Sequence, residues 1–268
     1  MNKRLMFSAA VVMTLLSANA QKRAFTIEDL YRVKGVSSVS LSPDGKTVCY
    51  TASSSDLKNQ KSGSDIYIMN ADGSHAKALT EDGKSSSAVW SKDGKSIFFT
   101  NYEKGTAQIF RMDLTTCETE QVTDYELGIG SPVISPDERY IAFTAEVYPD
   151  LGADAKANKA RMEKKEQGPV QAHIADKLLY RHWTSYNDGR CNHLILFDTQ
   201  TKTYKDLTPG NYSLIFVVGG GITYQFSPDS KEICFVSNHD EHQEASTNAD
   251  LWTVSVNGGE PVCITKEN

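Results

Sequence analysis

The 268-residue chain contains no Gly-x-Ser-x-Gly stretch, so the nucleophile elbow of an α/β-hydrolase is absent from it. It has no phosphate loop and no dinucleotide fingerprint, which removes the common nucleotide-binding folds. It has no excess of basic residues: Lys and Arg number 28 against 34 Asp and Glu, a formal net charge of −6. A mildly acidic chain lacks the electrostatic footprint for nucleic acid or anionic lipid. Cysteine is scarce. Cys49, Cys117, Cys191, Cys234 and Cys263 are odd in number and form no CxxC or zinc spacing, so neither a dense disulfide framework nor a zinc module is indicated. No alternation of βαβ units is visible, and no stretch after the first twenty residues is long and apolar enough to span a bilayer. Apolar content of 39 % and charged content of 23 % are those of an ordinary globular chain.

The first twenty residues read as a secretion signal. "MNKR" is basic, "LMFSAAVVMTLL" is a short apolar run, and Ala18 and Ala20 give the small-residue spacing of a cleavage site. Cleavage after Ala20 leaves Gln21 first; the competing reading is a membrane anchor. With no Cys after the site, a lipoprotein is disfavoured. The expected location is periplasmic or secreted.

What the chain does have is a repeat. The turns "SPDGK", "SKDGK", "SPDER" and "SPDSK" begin at Ser42, Ser91, Ser135 and Ser227, each followed by a β-type run. A second element also recurs four times, over 66–80, 109–123, 194–208 and 251–265. Each copy is fifteen residues long and ends on Thr. The two elements alternate, with a period of about forty residues. Four strands per period is the pattern of a β-propeller blade. The expected fold is therefore all-β: a propeller with four recognisable four-stranded blades at 38–83, 87–124, 131–211 and 220–268. A rim segment over 21–37 precedes them, with Thr26 capping a short helix over Glu28 and Asp29.

The turn motif is architectural. Pro presets φ, Asp tolerates the next position and Gly takes the left-handed one. Glu138 and Ser230 fill the Gly slot in two copies, and a catalytic loop would not be copied four times with drifting polar residues. Cys49 and Cys234 share a strand slot with Phe98 and Ala142, so both are expected as buried small hydrophobes. A disulfide among Cys117, Cys191 and Cys263 is left open. "HDEH", from His239 to His242, is weighed as an adventitious metal ligand set and read instead as a solvated loop.

The third unit is longer than the others by about thirty-five residues. This insertion, 147–191, is partly helical by composition over "LGADAKANKARMEKKEQ" (151–167). Its second half, "LLYRHWTSYNDGR" (178–190), places Tyr180, Arg181, Trp183 and Tyr186 on one loop. A cation among large rings suits a peptide terminus or carboxylate; the competing reading is that Trp183 only packs the insertion onto the blades. Glu146 and Asp150, where the insertion begins, are candidates for a peptide ammonium group. The substrate-binding candidates are thus Arg181, Trp183, Tyr180 and Glu146.

The secretion signal, the opening "FTIEDLYRVKGVSSVSLSPDGKTVCYT", the repeated turns and the "YPDL…DKLLYRHWTSYNDGR" insertion together resemble the N-terminal propeller of bacterial exported prolyl oligopeptidase-family serine peptidases. The resemblance covers 21–268 and is to the dipeptidyl-peptidase 5 and acylaminoacyl-peptidase-like group. The blade motif alone is shared with the TolB propeller. The resemblance implies a ring of commonly seven or eight blades, incomplete here, capping a C-terminal α/β-hydrolase domain of the parent chain that carries the Ser, Asp and His. It implies peptide substrates, no cofactor, no metal, no catalytic residue within this chain, and a propeller that limits substrate size. Arg181 and Trp183 would be its contribution to the substrate cavity. A homodimer of the parent is left open. The chain stops at "VCITKEN" with no further blade begun, and alone it is expected to be poorly soluble or oligomeric. The alternative is a non-catalytic TolB-like periplasmic propeller that binds envelope proteins; a metal or sugar lectin has only "HDEH" behind it.

Overall fold

The computed structural model describes residues 23–175, 178, 180–214 and 224–266. The expected signal peptide and the start of the fourth blade, 220–223, lie outside them. The short helix α1 (Ile27–Arg32) follows Thr26, whose N–H donates to the Asp29 carboxylate at 2.9 Å.

Four antiparallel four-stranded sheets follow, joined largely by tight turns. The first is β1 (Gly35–Leu41), β2 (Thr47–Asp56), β3 (Lys61–Asn70) and β4 (Lys77–Ala78), and the second β5 (Ser85–Trp90), β6 (Ser96–Asn101), β7 (Gln108–Asp113) and β8 (Thr119–Gln121), each in chain order. The third begins with β9 (Gly130–Ile134) and β10 (Tyr140–Val147). The chain then departs through helix α2 (Ala155–Glu166) and a hairpin, β11 (Arg181–His182) and β12 (Ser185–Tyr186). It returns as β13 (Cys191–Asp198), which pairs with β10 from Val147–Cys191 to Tyr140–Asp198, and ends in β14 (Thr203–Asp206). The fourth sheet is β15 (Tyr224–Phe226), β16 (Glu232–Ser237), β17 (Asp250–Ser255) and β18 (Val262–Cys263).

Each sheet packs on the next, and the strand period of two decides which side chain faces which neighbour. Ile97 and Phe99 of β6 join Cys49 and Ile66 of the first sheet. Phe98, between them, points the other way and joins Ile141, Phe143, Ile195 and Phe197 of the third. Tyr140, Ala142, Leu194 and Leu196 then meet Phe226, Ile233, Phe235 and Val254 of the fourth. Strands covered on both faces need apolar residues on both faces, so β6 and β10 read as continuous runs. Each large side chain buried this way stabilises the fold by about 1.5–3 kcal/mol.

The slot shared by Cys49, Phe98, Ala142 and Cys234 points from each sheet toward the following one. Cys49 is fully buried, with Sγ 3.6 Å from the Ala88 carbonyl oxygen. Cys234 corrects the expectation: it is only half-buried, because among the described residues no fifth sheet covers it. All five cysteines are free.

Both repeated elements are hydrogen-bond devices. In every turn the first Ser hydroxyl donates to the Asp carboxylate two residues on, at 2.6–2.7 Å. The same hydroxyl accepts the N–H five residues on, at 2.9–3.1 Å. The fourth position is left-handed in all four: Gly45, Gly94, Glu138 and Ser230 have φ of 71°, 69°, 61° and 61°. The two side chains there are used, because the Glu138 carboxylate accepts from the Lys92 N–H and the Ser230 hydroxyl from the Asp137 N–H at 3.1 Å. Each thereby ties its turn to that of the preceding sheet. The closing Thr of the second element accepts the N–H of that element's first residue at 2.9 Å in all four copies.

Because the strands alternate in direction, the repeated Ser-x-Asp turns emerge at one end of every sheet. The loops between second and third strands emerge at the other. The long segment 148–190 therefore lies on the face opposite the repeated turns.

Candidate functional site

Helix α2 carries the sequence AKANKARMEKKE and has no apolar stripe. A helix polar all round cannot be held by hydrophobic packing, and polar groups hold this one. Asn158, fully buried, accepts the Tyr148 N–H at 2.6 Å and donates to the Gly152 and Asp154 carbonyls at 3.0 and 2.8 Å. Asp154 caps the helix through the Ala157 N–H. Arg161 forks onto both Asp150 oxygens at 2.7 Å. The Tyr148 ring has the Arg161 guanidinium at 4.7 Å and the Lys165 ammonium at 4.8 Å.

Arg190 joins the two ends of the segment. It pairs with Glu146 at 3.0 Å and with Asp188 at 2.9 Å. Burial by itself would raise the Asp188 carboxyl; the Arg190 guanidinium outweighs it and holds the group below the usual carboxylate range. Just beyond Arg190, in β13, His193 is completely buried. Its Nδ1 lies 2.7 Å from Asp206 Oδ2 and its Nε2 3.0 Å from the Gly210 carbonyl oxygen. Both ring nitrogens face acceptors, an arrangement that only the doubly protonated ring satisfies. Burial opposes the charge, yet the Asp206 contact prevails and the pKa is pushed up to about 9.

The hairpin pairs Arg181 with Tyr186 and His182 with Ser185. Trp183 sits at its tip with φ of 46°, a conformation that costs a bulky residue about 1–3 kcal/mol. The residue is 83 % exposed. Tyr186 stacks on His173 at 4.0 Å, nearly parallel, and lies 6.5 Å from Tyr180.

Two clefts flank α2. The first, of about 810 Å³, is lined by Tyr148, Lys164, Ile174, Leu178 and Tyr180 among others. The second, of about 720 Å³, is lined by Glu126, Glu146, Lys159, Glu163 and Arg190. Met162 and Glu166 belong to both. The sequence candidates are therefore divided: Tyr180 lines one cleft and Glu146 the other, while Arg181 and Trp183 stand exposed on the hairpin. Asp150 is taken up by Arg161.

In the "HDEH" loop, read as solvated, Asp240 to His242 are exposed and His239 is not. His239 is packed between Tyr212 and Trp252, at ring distances of 3.7 and 3.9 Å, and burial lowers its pKa. Among the described residues no group of three or more His, Cys, Asp or Glu side chains is arranged to hold a metal. Sequence reasoning also passed over Asn158, Arg190 and His193. A signal existed for His193: it occupies the slot that holds Asp65, Gln108 and Asp250 in the other repeats, where the side chain accepts from the closing Thr.

The TolB beta propeller domain matches residues 13–167. The chain belongs to that family. Residues 153–268 also match the dipeptidyl peptidase IV N-terminal region. Dipeptidyl-peptidase 5 of Porphyromonas gingivalis is 29 % identical over 272 residues, covering 97 % of this chain and 39 % of that protein. The dipeptidyl-peptidase 5 of Porphyromonas endodontalis is 25 % identical over 254 residues, covering 92 % and 36 %. The propeller thus spans well under half the length of these relatives. Acylaminoacyl peptidase from Pyrococcus horikoshii superposes with a TM-score of 0.61 at 18 % identity, covering 88 % of this chain and 33 % of that one, which speaks to fold alone. The expected resemblance to the propeller portion of such peptidases is met by these relatives. No helix among the described residues is long and apolar enough to cross a membrane.

Proposed function

We propose that this chain is the substrate-facing propeller portion of an exported serine exopeptidase that releases dipeptides from peptide N-termini. The catalytic α/β-hydrolase domain would lie in the remainder of the parent protein. The observation that carries the reading is the 29 % identity to a dipeptidyl-peptidase 5 across nearly the whole chain. The exposed hairpin on the loop face is its physical counterpart. Trp183 and Tyr180 offer rings to a peptide backbone, and Arg181 offers a fork to a carbonyl or carboxylate. Glu146, 64 % exposed and only partly neutralised by Arg190, faces the second cleft and suits an α-ammonium group. The propeller would admit peptides and exclude folded chains by size.

The test is made on the full-length gene product. Arg181→Ala and Trp183→Ala are expected to raise KM for unblocked oligopeptides about tenfold, a loss of about 1.4 kcal/mol in binding. A parent reading frame without a Gly-x-Ser-x-Gly elbow would overturn the reading. A TolB-like scaffold that binds envelope proteins is the second reading, favoured by the family match over residues 13–167. Retention of a stable envelope partner, with no peptidase activity in the full-length protein, would support it.

A further inference from the structure

We propose that the hairpin β11–β12 takes up an extended acidic peptide as a third strand, with one apolar side chain of that peptide lodged in the cleft beside Tyr148, Ile174 and Tyr180. The inference rests on the peptide-handling reading above and deepens it by naming the binding mode.

The first ground is an open edge. β11 and β12 form a sheet of two strands, and among the described residues no other strand pairs with either edge. A lone two-stranded ribbon is marginal in water. Here the Asn187 N–H donates to the Tyr180 carbonyl at 2.8 Å and His173 stacks on Tyr186, so the ribbon is held in place for a partner. Unpaired strand edges recruit extended chains through the main chain, and alternate side chains then select among them.

The second ground is what lies alongside. The cleft of about 810 Å³ falls within the size range of ligand pockets. Val170, Ile174 and Leu178 line it while 70 %, 91 % and 62 % exposed. Apolar side chains held in water beside an unpaired edge mark a contact surface.

Charge decides the occupant. Lys164 and Lys165 line the cleft, Lys165 already held by the Asp188 carbonyl at 2.8 Å and the Tyr148 ring, and Arg181 is exposed on the adjoining strand. Of the two carboxylates there, Asp188 is already bridged to Arg190, which leaves Glu166. A second copy docking edge to edge would bring like cations together, since a two-fold contact repeats the same patch on both sides. An acidic, apolar peptide meets them with opposite charge.

The experiment uses this chain and a fluorescein-tagged, N-acetylated peptide, Thr-Phe-Thr-Val-Thr-Glu, followed by anisotropy. Two analogues carry N-methyl groups on alternate residues, one in each register. The acetyl group removes the ammonium, so amine anchoring makes no contribution. Strand addition predicts binding of the parent peptide and at least about tenfold weakening by one register of methylation but not the other. Ile174→Asp, at an exposed position, is expected to weaken binding similarly with an unchanged circular dichroism spectrum. Equal binding of both methylated analogues, or an unaffected Ile174→Asp variant, overturns the proposal. So does binding confined to a self-associated fraction that Ile174→Asp disperses in sedimentation, which would identify a second copy as the occupant. The same peptide without the acetyl group is the control: if only it binds, strand addition falls and the peptide-handling reading stands; if neither binds, both fall.

Discussion

Raising the pH from about 6 to about 10 is expected to destabilise the third blade through one residue, His193. The imidazole is completely buried, 2.7 Å from Asp206 and 3.0 Å from the Gly210 carbonyl oxygen. Its pKa is pushed from 6.5 to about 9. A group whose folded pKa lies above its unfolded value stabilises fully below the unfolded pKa and ceases to do so as pH rises through the folded one. The window therefore runs from 6.5 to about 9. At 1.36 kcal/mol per pKa unit, the contribution lost across it is about 3 kcal/mol. Above it the neutral ring presents a lone pair to one of two acceptors, and that contact becomes repulsive. The assay is urea unfolding at several pH values for the wild-type chain and His193→Gln. The variant supplies no cation, so the difference in stability between the two is expected to shrink by about 3 kcal/mol over the window, while Lys, Tyr and free Cys titrate alike in both. Identical pH slopes for the two proteins would refute the buried imidazolium.

Three further outcomes follow from packing and hydrogen bonding. Asn158→Ala removes the buried amide that joins α2 to Tyr148, Gly152 and Asp154; amide exchange is expected to accelerate across 155–166 and not in β10 or β13. Thr123→Val strips a buried hydroxyl from the Ile109 N–H and Gln108 and is expected to cost about 1–3 kcal/mol in chemical denaturation; Thr265→Val, on the outer edge of the fourth sheet, is expected to cost less. The first sheet leaves Val36, Val39 and Leu41 exposed by 63 %, 66 % and 58 %, so the chain by itself is expected to self-associate, and Val36→Lys with Leu41→Lys to lower its mass in light scattering.

Much of the blade architecture was legible because a propeller writes each sheet into a short stretch of chain. The turn from Ser42 to Gly45 closes within itself, so its chemistry is visible as a motif. The terminal Thr of the second element needs a partner only fourteen residues back, again within one repeat. Cys234 was misjudged for the opposite reason: the shared slot is buried by the next sheet, and what covers it is a fact about neighbours.

The candidate site was legible only in outline. The break in period located the long segment 148–190, and composition marked the helix within it; the hairpin was read as a loop. That Trp183 stays exposed at a left-handed tip, and that Tyr180 and Glu146 face different clefts, depends on where α2 lies. Asn158, with Asp154 and Arg161, sets that position in a helix whose polar residues look interchangeable in the sequence. His239 entered the sequence reading as part of a polar loop, yet Tyr212 and Trp252, from two other segments, enclose it.

By itself the sequence determined the repeat, the strands, the turns and the one segment that departs from them, because each depends on residues near one another in the chain. Only the tertiary structure decided which carboxylates are spent in ion pairs, which histidine is a buried cation and which rings stay exposed. Those depend on groups brought together by blade stacking and by the polar clamp on α2, where hydrogen-bond geometry and desolvation act across distances the linear pattern does not encode.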